Sequence, residues 1–367
     1  MIFTILITLF LSFLICFFTL PTLIKISKKY SIYDHPNHLK KHEKNISYLG
    51  GIAILFSFHI TTRLSTAEIV NQPIYFDYYL STLMIIFFYG LGDDIFNYKP
   101  YKKFIFQIIV SIFLVHKMNI YVPLENMYPF MSKTISISIT ILILIAITNA
   151  FNLIDGADGI ATSIALMTTI FYAILFFLQN NIFFCLIAVS LSGSLIGFLC
   201  YNKPPAYIFM GDSGSLFIGM IIGTFIIILT QNQKTLYLPN NLNQKILIGI
   251  STLTIPVFDM IRLFATRILD KKNPFKGDTN HIHHLFNKIG FSKNQTLFFI
   301  ITIQILTALS SMFFYYKNLI LVYSILFLIY LATIKVITII IDNKEKIKQI
   351  IVENKSNYYN LTKKRIG

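Results

Sequence analysis

The chain has 367 residues, is 55% apolar and only 13% charged, and has a mean hydropathy of +0.67. Soluble proteins carry about a quarter charged residues, so this composition excludes an ordinary soluble domain and predicts a membrane protein. The net charge of +15 does not indicate nucleic acid, because the basic residues lie between apolar runs and not on one amphipathic face; membrane topology accounts for them.

A helix that crosses a bilayer needs about 20 apolar residues. The chain offers roughly eleven such segments: 1–24, 49–66, 76–92, 104–121, 134–150, 160–179, 182–200, 214–230, 246–266, 295–314 and 318–341. The expected fold is therefore an all-α integral membrane protein with about 11 transmembrane helices over 1–341 and a basic tail over 342–367. The first segment begins apolar, without a basic leader or a small-residue cleavage pattern, and reads as a retained span. The break between the sixth and seventh segments is only Gln179-Asn180-Asn181. Cys16, Cys185 and Cys200 lie in or at the ends of apolar segments without metal-ligand spacing, as small buried hydrophobes do.

Lysine and arginine set the orientation. With the first span starting outside, the inner segments 25–48, 93–103, 201–213, 262–294 and the tail hold about 24 of the 31 basic residues. The outer ones hold about six: Arg63, Lys117, Lys133, Lys234, Lys245 and Lys317. That bias predicts an outside N-terminus and a cytoplasmic C-terminus. Anionic lipid is a sufficient partner for the basic tail.

On this topology the polar clusters all fall inside. They are Asp34-His35-Pro36, Gly50-Gly51, Gly92-Asp93-Asp94, the stretch from Asn149 to Thr162, Phe209-Met210-Gly211-Asp212-Ser213-Gly214, and His281-Ile282-His283-His284. One aqueous active site at the cytoplasmic face predicts such a placement. In the central stretch Asn149 and Asn152 precede Asp155-Gly156 and Asp158-Gly159, which suits a metal, a nucleotide or, more plainly, a polar turn. Adjacent Asp93 and Asp94 resist joint ionisation unless a cation is near; the alternative is a topological stop. Asp212 is a third carboxylate for the same ion, and oxygen ligands on glycine-flanked turns suit Mg²⁺. The histidines suit either Zn²⁺ or phosphate oxygens held together with Arg267 and Lys276. Without a cysteine or a His-Glu-x-x-His spacing, the phosphate site is favoured. Lys102-Lys103 also reads as ordinary inner flanking, and Gly50-Gly51 as close helix packing.

Taken together and in order, these motifs resemble those of the polyprenyl-phosphate N-acetylhexosamine-1-phosphate transferases, glycosyltransferase family 4. The matching elements are Asp34-x-Pro36, Lys41-His42 before Leu49-Gly50-Gly51, Gly92-Asp93-Asp94, Asn152-x-x-Asp155-Gly-x-Asp158-Gly159, Phe209-Met-Gly-Asp212-x-Gly-Ser215, Pro256-x-x-Asp259 and His281-x-His283-His284. Ser47 and Tyr48 stand where the family often has Pro and Arg, and Ile95 where a basic residue often follows the aspartates.

The resemblance implies a bacterial inner-membrane enzyme. It would move a sugar-1-phosphate from a UDP-N-acetylhexosamine to undecaprenyl phosphate and release UMP, with Mg²⁺ or alternatively Mn²⁺. The His-x-His-His form looks like the GlcNAc-1-phosphate branch that starts O-antigen, common antigen or teichoic acid. The muramoyl-pentapeptide branch and a 6-deoxy donor are alternatives within the family, and a polytopic transporter is the alternative outside it. By carry-over, Asp212 and Asp94 would hold the metal. Asp93, Asp94, Lys103, His281, His283 and His284 would surround the reacting phosphates. Asn152, Asp155, Asp158 and Phe209 would bind the nucleotide sugar. Family likeness also suggests a homodimer.

Overall fold

The computed structural model describes residues 1–33, 46–67, 75–126, 128, 130–231, 241–271, 281–313 and 319–366. Asp34, His35, Pro36, Lys41, His42, Lys234, Lys276 and Lys317 lie outside the described residues. The described chain is almost wholly helical. Its helices are α1 (Ile2–Tyr30), α2 (Gly50–Thr66), α3 (Phe76–Phe96), α4 (Pro100–Met118), α5 (Lys133–Ile154), α6 (Ile160–Leu178), α7 (Ile182–Asn202), α8 (Gly211–Gln231), α9 (Leu242–Ser251), α10 (Thr254–Leu269), α11 (Ile282–Ile289), α12 (Lys293–Phe313) and α13 (Leu319–Ile366).

Each of the expected apolar segments falls on a helix, but fewer than eleven are straight spans. Among the described residues, eight helices are long and apolar enough to cross a membrane, or nine if α9 and α10 count as one. Two helices fall short: α2 has only 17 residues, and α4 carries Lys102 and Lys103 in its first turn and Lys117 in its last. The expected span 246–266 is broken into α9 and α10, which meet at 87°. The cause is local. Pro256, in the first turn of α10, has no N–H to give and cannot continue a helix from α9. Backbone freed inside an apolar bundle must find partners, and Gln304 of α12 supplies them. Its Nε2 donates to the Ser251 carbonyl at 2.9 Å and its Oε1 accepts from the Ile255 N–H at 3.0 Å. Thr168 of α6 donates to the Thr252 carbonyl at 3.1 Å.

At the centre lies α8, buried from Ser213 to Thr230 and packed on α2, α3, α5, α6 and α9. A second contact joins α1, α2 and α7. Lipid tails are as apolar as leucine, so helices in a bilayer gain by close van der Waals approach and by hydroxyl hydrogen bonds. Both are present. Ser12 donates to the Ser190 carbonyl at 2.6 Å and shares a 2.7 Å contact with Ser194, which also accepts from Ser57 at 2.8 Å. In the same seam α7 carries Gly193-Ser-Leu-Ile-Gly197, and a Cβ on Gly193 would lie 2.3 Å from the Leu9 carbonyl oxygen. The C-terminal helix α13 has 48 residues. At 1.5 Å per residue that is about 72 Å, more than twice a bilayer core, and residue 341 is not a break in it.

Gly193→Val must push α1 off α7, because the atom it strikes is backbone. The variant should lose about 3 kcal/mol or more, read as a lower unfolding temperature in detergent. Leu142→Ala, at an exposed position of α5, should change it little.

Candidate active site

The ends of four helices meet at one face of the bundle. A tight turn joins α3 to α4: Asn97 takes a left-handed φ of 50° to close α3, and Asp93 Oδ1 accepts the Tyr98 N–H at 2.7 Å. The turn brings Lys103, in the first turn of α4, back over Asp93. Its ammonium lies against Asp93 Oδ2 and 2.6 Å from Asp212 Oδ2 at the start of α8. From the end of α5, Asn152 Nδ2 donates to Asp212 Oδ1 at 2.8 Å and to Ser215 Oγ at 3.0 Å. Asp93, Lys103, Asn152 and Asp212, which lie far apart in the chain, are thus in one hydrogen-bonded group.

Asp94 has a different task. Its Oδ1 accepts the Asp212 N–H at 2.7 Å and its Oδ2 the Ser213 N–H at 3.1 Å. It caps α8 from another helix, supplying the acceptors that a helix N-terminus lacks. Gly211 makes this possible. It has φ +71°, and a Cβ there would stand 2.6 Å from Asp94 Oδ2 and 2.7 Å from the Tyr48 carbonyl oxygen. The sequence reading paired Asp94 with Asp212 as metal ligands. The structure pairs Asp212 with Asp93 and directs the Asp94 oxygens to backbone.

Among the described residues, no three His, Cys, Asp or Glu side chains are grouped to hold a metal ion. Lys103 stands between Asp93 and Asp212, where a shared cation would bind. Burial opposes its charge, but attraction to Asp212 and Asp93 more than offsets this and holds its pKa up at about 12. Asp93, Asp94 and Asp212 lie near one another here, and Lys103 touches two of them, Asp93 and Asp212. Hard oxygen donors in negative excess fit a divalent cation such as Mg²⁺.

One turn deeper, Asn149 of the expected stretch meets a residue that the sequence reading missed. Asn149 Nδ2 donates to Gln107 Oε1 at 2.7 Å, joining α5 to α4 directly below Asn152 and Lys103. Nothing marks Gln107 in the sequence except a polar residue inside an apolar run. Tyr89 and Phe106 stack at 3.8 Å between α3 and α4, beside Asp93. Gly51 fulfils its packing role: a Cβ there would lie 2.7 Å from the Gly214 nitrogen.

Of the other expected residues, Asp155, Asp158 and His283 lie at the loop that follows α5. Asp155 is the C-cap residue of α5. Asp158, expected at the nucleotide sugar, is buried and turned to protein: its Oδ2 accepts Lys293 Nζ at 2.9 Å and the Ala206 N–H at 3.3 Å. It ties the starts of α6 and α12 to the segment before α8. No motif pointed to Lys293. Phe209 is held by its backbone, donating to the Ser47 carbonyl at 2.7 Å and accepting from Gly50 N–H at 3.0 Å. The three histidines pack together at the start of α11. His281 and His283 lie parallel, with centroids 5.7 Å apart, and His283 is 4.2 Å from His284. His283 touches the loop, 3.3 Å from where a Gly156 Cβ would be. Burial, then the neighbouring imidazoles of His284 and His281, depress its pKa to about 3.

Sequence comparison supports the same reading. Residues 76–230 match the model for glycosyl transferase family 4. A Bacillus subtilis (strain 168) protein named a probable undecaprenyl-phosphate N-acetylglucosaminyl 1-phosphate transferase is 29% identical over 303 residues, 79% of each chain. The undecaprenyl-phosphate alpha-N-acetylglucosaminyl 1-phosphate transferase of Thermotoga maritima is 26% identical over 82% of this chain and 89% of its own. A phospho-N-acetylmuramoyl-pentapeptide-transferase of Clostridium botulinum (strain Eklund 17B / Type B) is 30% identical over 73% of this chain and 82% of its own. With its largely helical fold of membrane-length helices, and matching these transferases over most of their length, the chain belongs to glycosyl transferase family 4.

Proposed function

We propose that the protein transfers an N-acetylhexosamine-1-phosphate, with GlcNAc as the sugar, from its UDP ester to undecaprenyl phosphate at the cytoplasmic face of a bacterial plasma membrane. The observation that carries this reading is the junction of Lys103 with Asp93, Asp212 and Asn152 at the meeting of four helix ends. A phosphate oxygen of the lipid attacks the β-phosphorus of the UDP-sugar. The bond from that phosphorus to the bridging oxygen breaks, UMP leaves, and a lipid diphospho-sugar remains. Both reactants are anions, so the site must neutralise charge as they meet.

Lys103 supplies a fixed cation beside the incoming phosphate. Asp212, with Asp93, would hold Mg²⁺, whose chemistry is to neutralise diphosphate charge and orient its oxygens. Asn152 keeps Asp212 in place. The lipid phosphate has a second pKa near 6 and arrives mostly dianionic, so Asp93 need not act as a base. Asp155 borders the loop that would take the nucleotide, and Phe209 would stack on its base. His283, with its pKa depressed, is neutral at pH 7 and serves as a hydrogen-bonding group, not as a cation. The His-x-His-His pattern favours GlcNAc over the muramoyl-pentapeptide donor.

The deciding assay is UMP release by purified protein with undecaprenyl phosphate, a panel of UDP-sugars, Mg²⁺ and an EDTA control. Release with UDP-GlcNAc that needs both lipid and Mg²⁺ is expected. UDP-MurNAc-pentapeptide as the preferred donor would move the chain to the other branch, and no release from any donor would overturn the reaction. Asp212→Asn should cut turnover by about a hundredfold or more with an unchanged melting profile.

A pH titration tests the state of His283. In the unfolded chain it protonates near pH 6.5, in the fold only near 3. Between these values the unfolded state binds the extra proton, so the contribution is intact above about pH 6.5 and is lost as pH falls. The unfolding temperature should drop below pH 6.5, and His283→Gln should flatten that drop. An equal slope in both proteins would contradict a neutral buried imidazole.

A further inference from the structure

Asp259 of α10 accepts four hydrogen bonds within the bundle. Its Oδ1 takes Arg262 Nη2 at 2.7 Å and the Tyr330 hydroxyl of α13 at 2.9 Å. Its Oδ2 takes His281 Nδ1 at 3.0 Å and the Ile282 N–H at 3.4 Å. Asp259, Arg262 and His281 are all buried, so little water competes for these bonds. A carboxylate paired with a guanidinium only accepts. His281 must therefore carry a hydrogen on Nδ1, which leaves Nε2, across the ring, as the nitrogen that can face a ligand.

The same carboxylate holds the Ile282 N–H, so it also sets where α11 begins. His281 is the histidine that is nailed to the scaffold. Its ring lies parallel to that of His283, within 7°, and the anchored ring thereby sets the plane on which the next one rests. His283 has no hydrogen-bond partner on either ring nitrogen among the described residues. Tyr330 closes the network from a helix that lies outside the family match at 76–230 and outside every motif in the sequence. Its ring also packs on Phe258, with centroids 5.8 Å apart.

We infer that Asp259 and Tyr330 are positioning residues for the histidine cluster: the Tyr330 hydroxyl on α13 orients Asp259, and Asp259 holds His281 in the Nδ1–H tautomer with Nε2 presented to the substrate phosphates. This rests on the phosphate role proposed for the histidines. Tyr330 touches no reacting atom and acts through Asp259. Outer partners that orient an imidazole in this way are commonly worth about 10–100-fold in activity.

The test joins a spectroscopic readout to kinetics, both on the full-length protein in detergent. Two-bond ¹H–¹⁵N spectra of histidine-labelled protein, assigned with His281→Gln, report the His281 tautomer without any substrate. Wild type should show Nδ1–H, and Tyr330→Phe and Asp259→Asn should lose or mix that signature. Tyr330→Phe keeps the ring on Phe258 and should melt normally. It should lower kcat for UMP release about tenfold, with the KM for the UDP-sugar within about twofold. Asp259→Asn should lower kcat about a hundredfold, and the double variant no further, because both residues act through one bond. An Nε2–H tautomer in wild type, or an unchanged kcat in Tyr330→Phe, would overturn the inference. If no donor released UMP, the reaction would fail while the tautomer spectra still decided the positioning.

Discussion

One ammonium group, that of Lys103, lies between two carboxylates that would otherwise repel each other. Asp93 ends α3, Asp212 begins α8, and Lys103 opens the helix between them in sequence. Bringing like charges together in an apolar bundle is unfavourable unless a cation is held among them. The bridge joins these three helix ends, and Asn152 brings in a fourth through Asp212. The chemistry proposed for the site asks the same of it, since two phosphates must approach one another. A protein that stabilises clustered carboxylates with one lysine still has negative charge left over, and that excess is what a divalent cation would meet.

The site can be this tight because of the backbone around it. Asp94 serves as the cap of α8, which frees the Asp212 side chain to face Lys103 and Asn152. That cap needs Gly211 in a left-handed conformation with no Cβ in the path of the carboxylate. The Gly51 approach to Gly214 holds the start of α2 against the same turn. Behind the site, Gln107 and Asn149 join α4 to α5 where lipid-like surroundings make an unpaired amide costly. Lys103, Asn152 and Asp212 thus each have a hydrogen-bonded partner within the group.

The histidine cluster is built on a different principle. It sits on a short helix and is tied to α10 and α13 through a buried carboxylate. The bend between α9 and α10 belongs to the same logic. A straight span would carry Asp259 along the bundle, whereas the turn at Pro256 starts a new helix that presents it to His281. Gln304 makes the bend tolerable by closing the hydrogen bonds that it opens.

Much of this was legible in the sequence. Apolar length and period located every span-like helix, because burial in a bilayer leaves a mark at each position of a segment. The order of the polar motifs singled out candidate residues, and four of them, Asp93, Lys103, Asn152 and Asp212, are brought together. What the sequence could not assign was the partner of each side chain. An Asp-Asp pair looks the same whether both residues face a cation or one of them caps another helix. Asp158 reads equally as a nucleotide ligand or as the partner of Lys293, and Gln107, Lys293 and Tyr330 carry no local signature. Composition and spacing determine which segments enter the membrane and where polar groups accumulate, since those are properties of a stretch of chain. Only the tertiary structure decided which oxygen meets which nitrogen, since that depends on residues a hundred positions apart arriving within 3 Å.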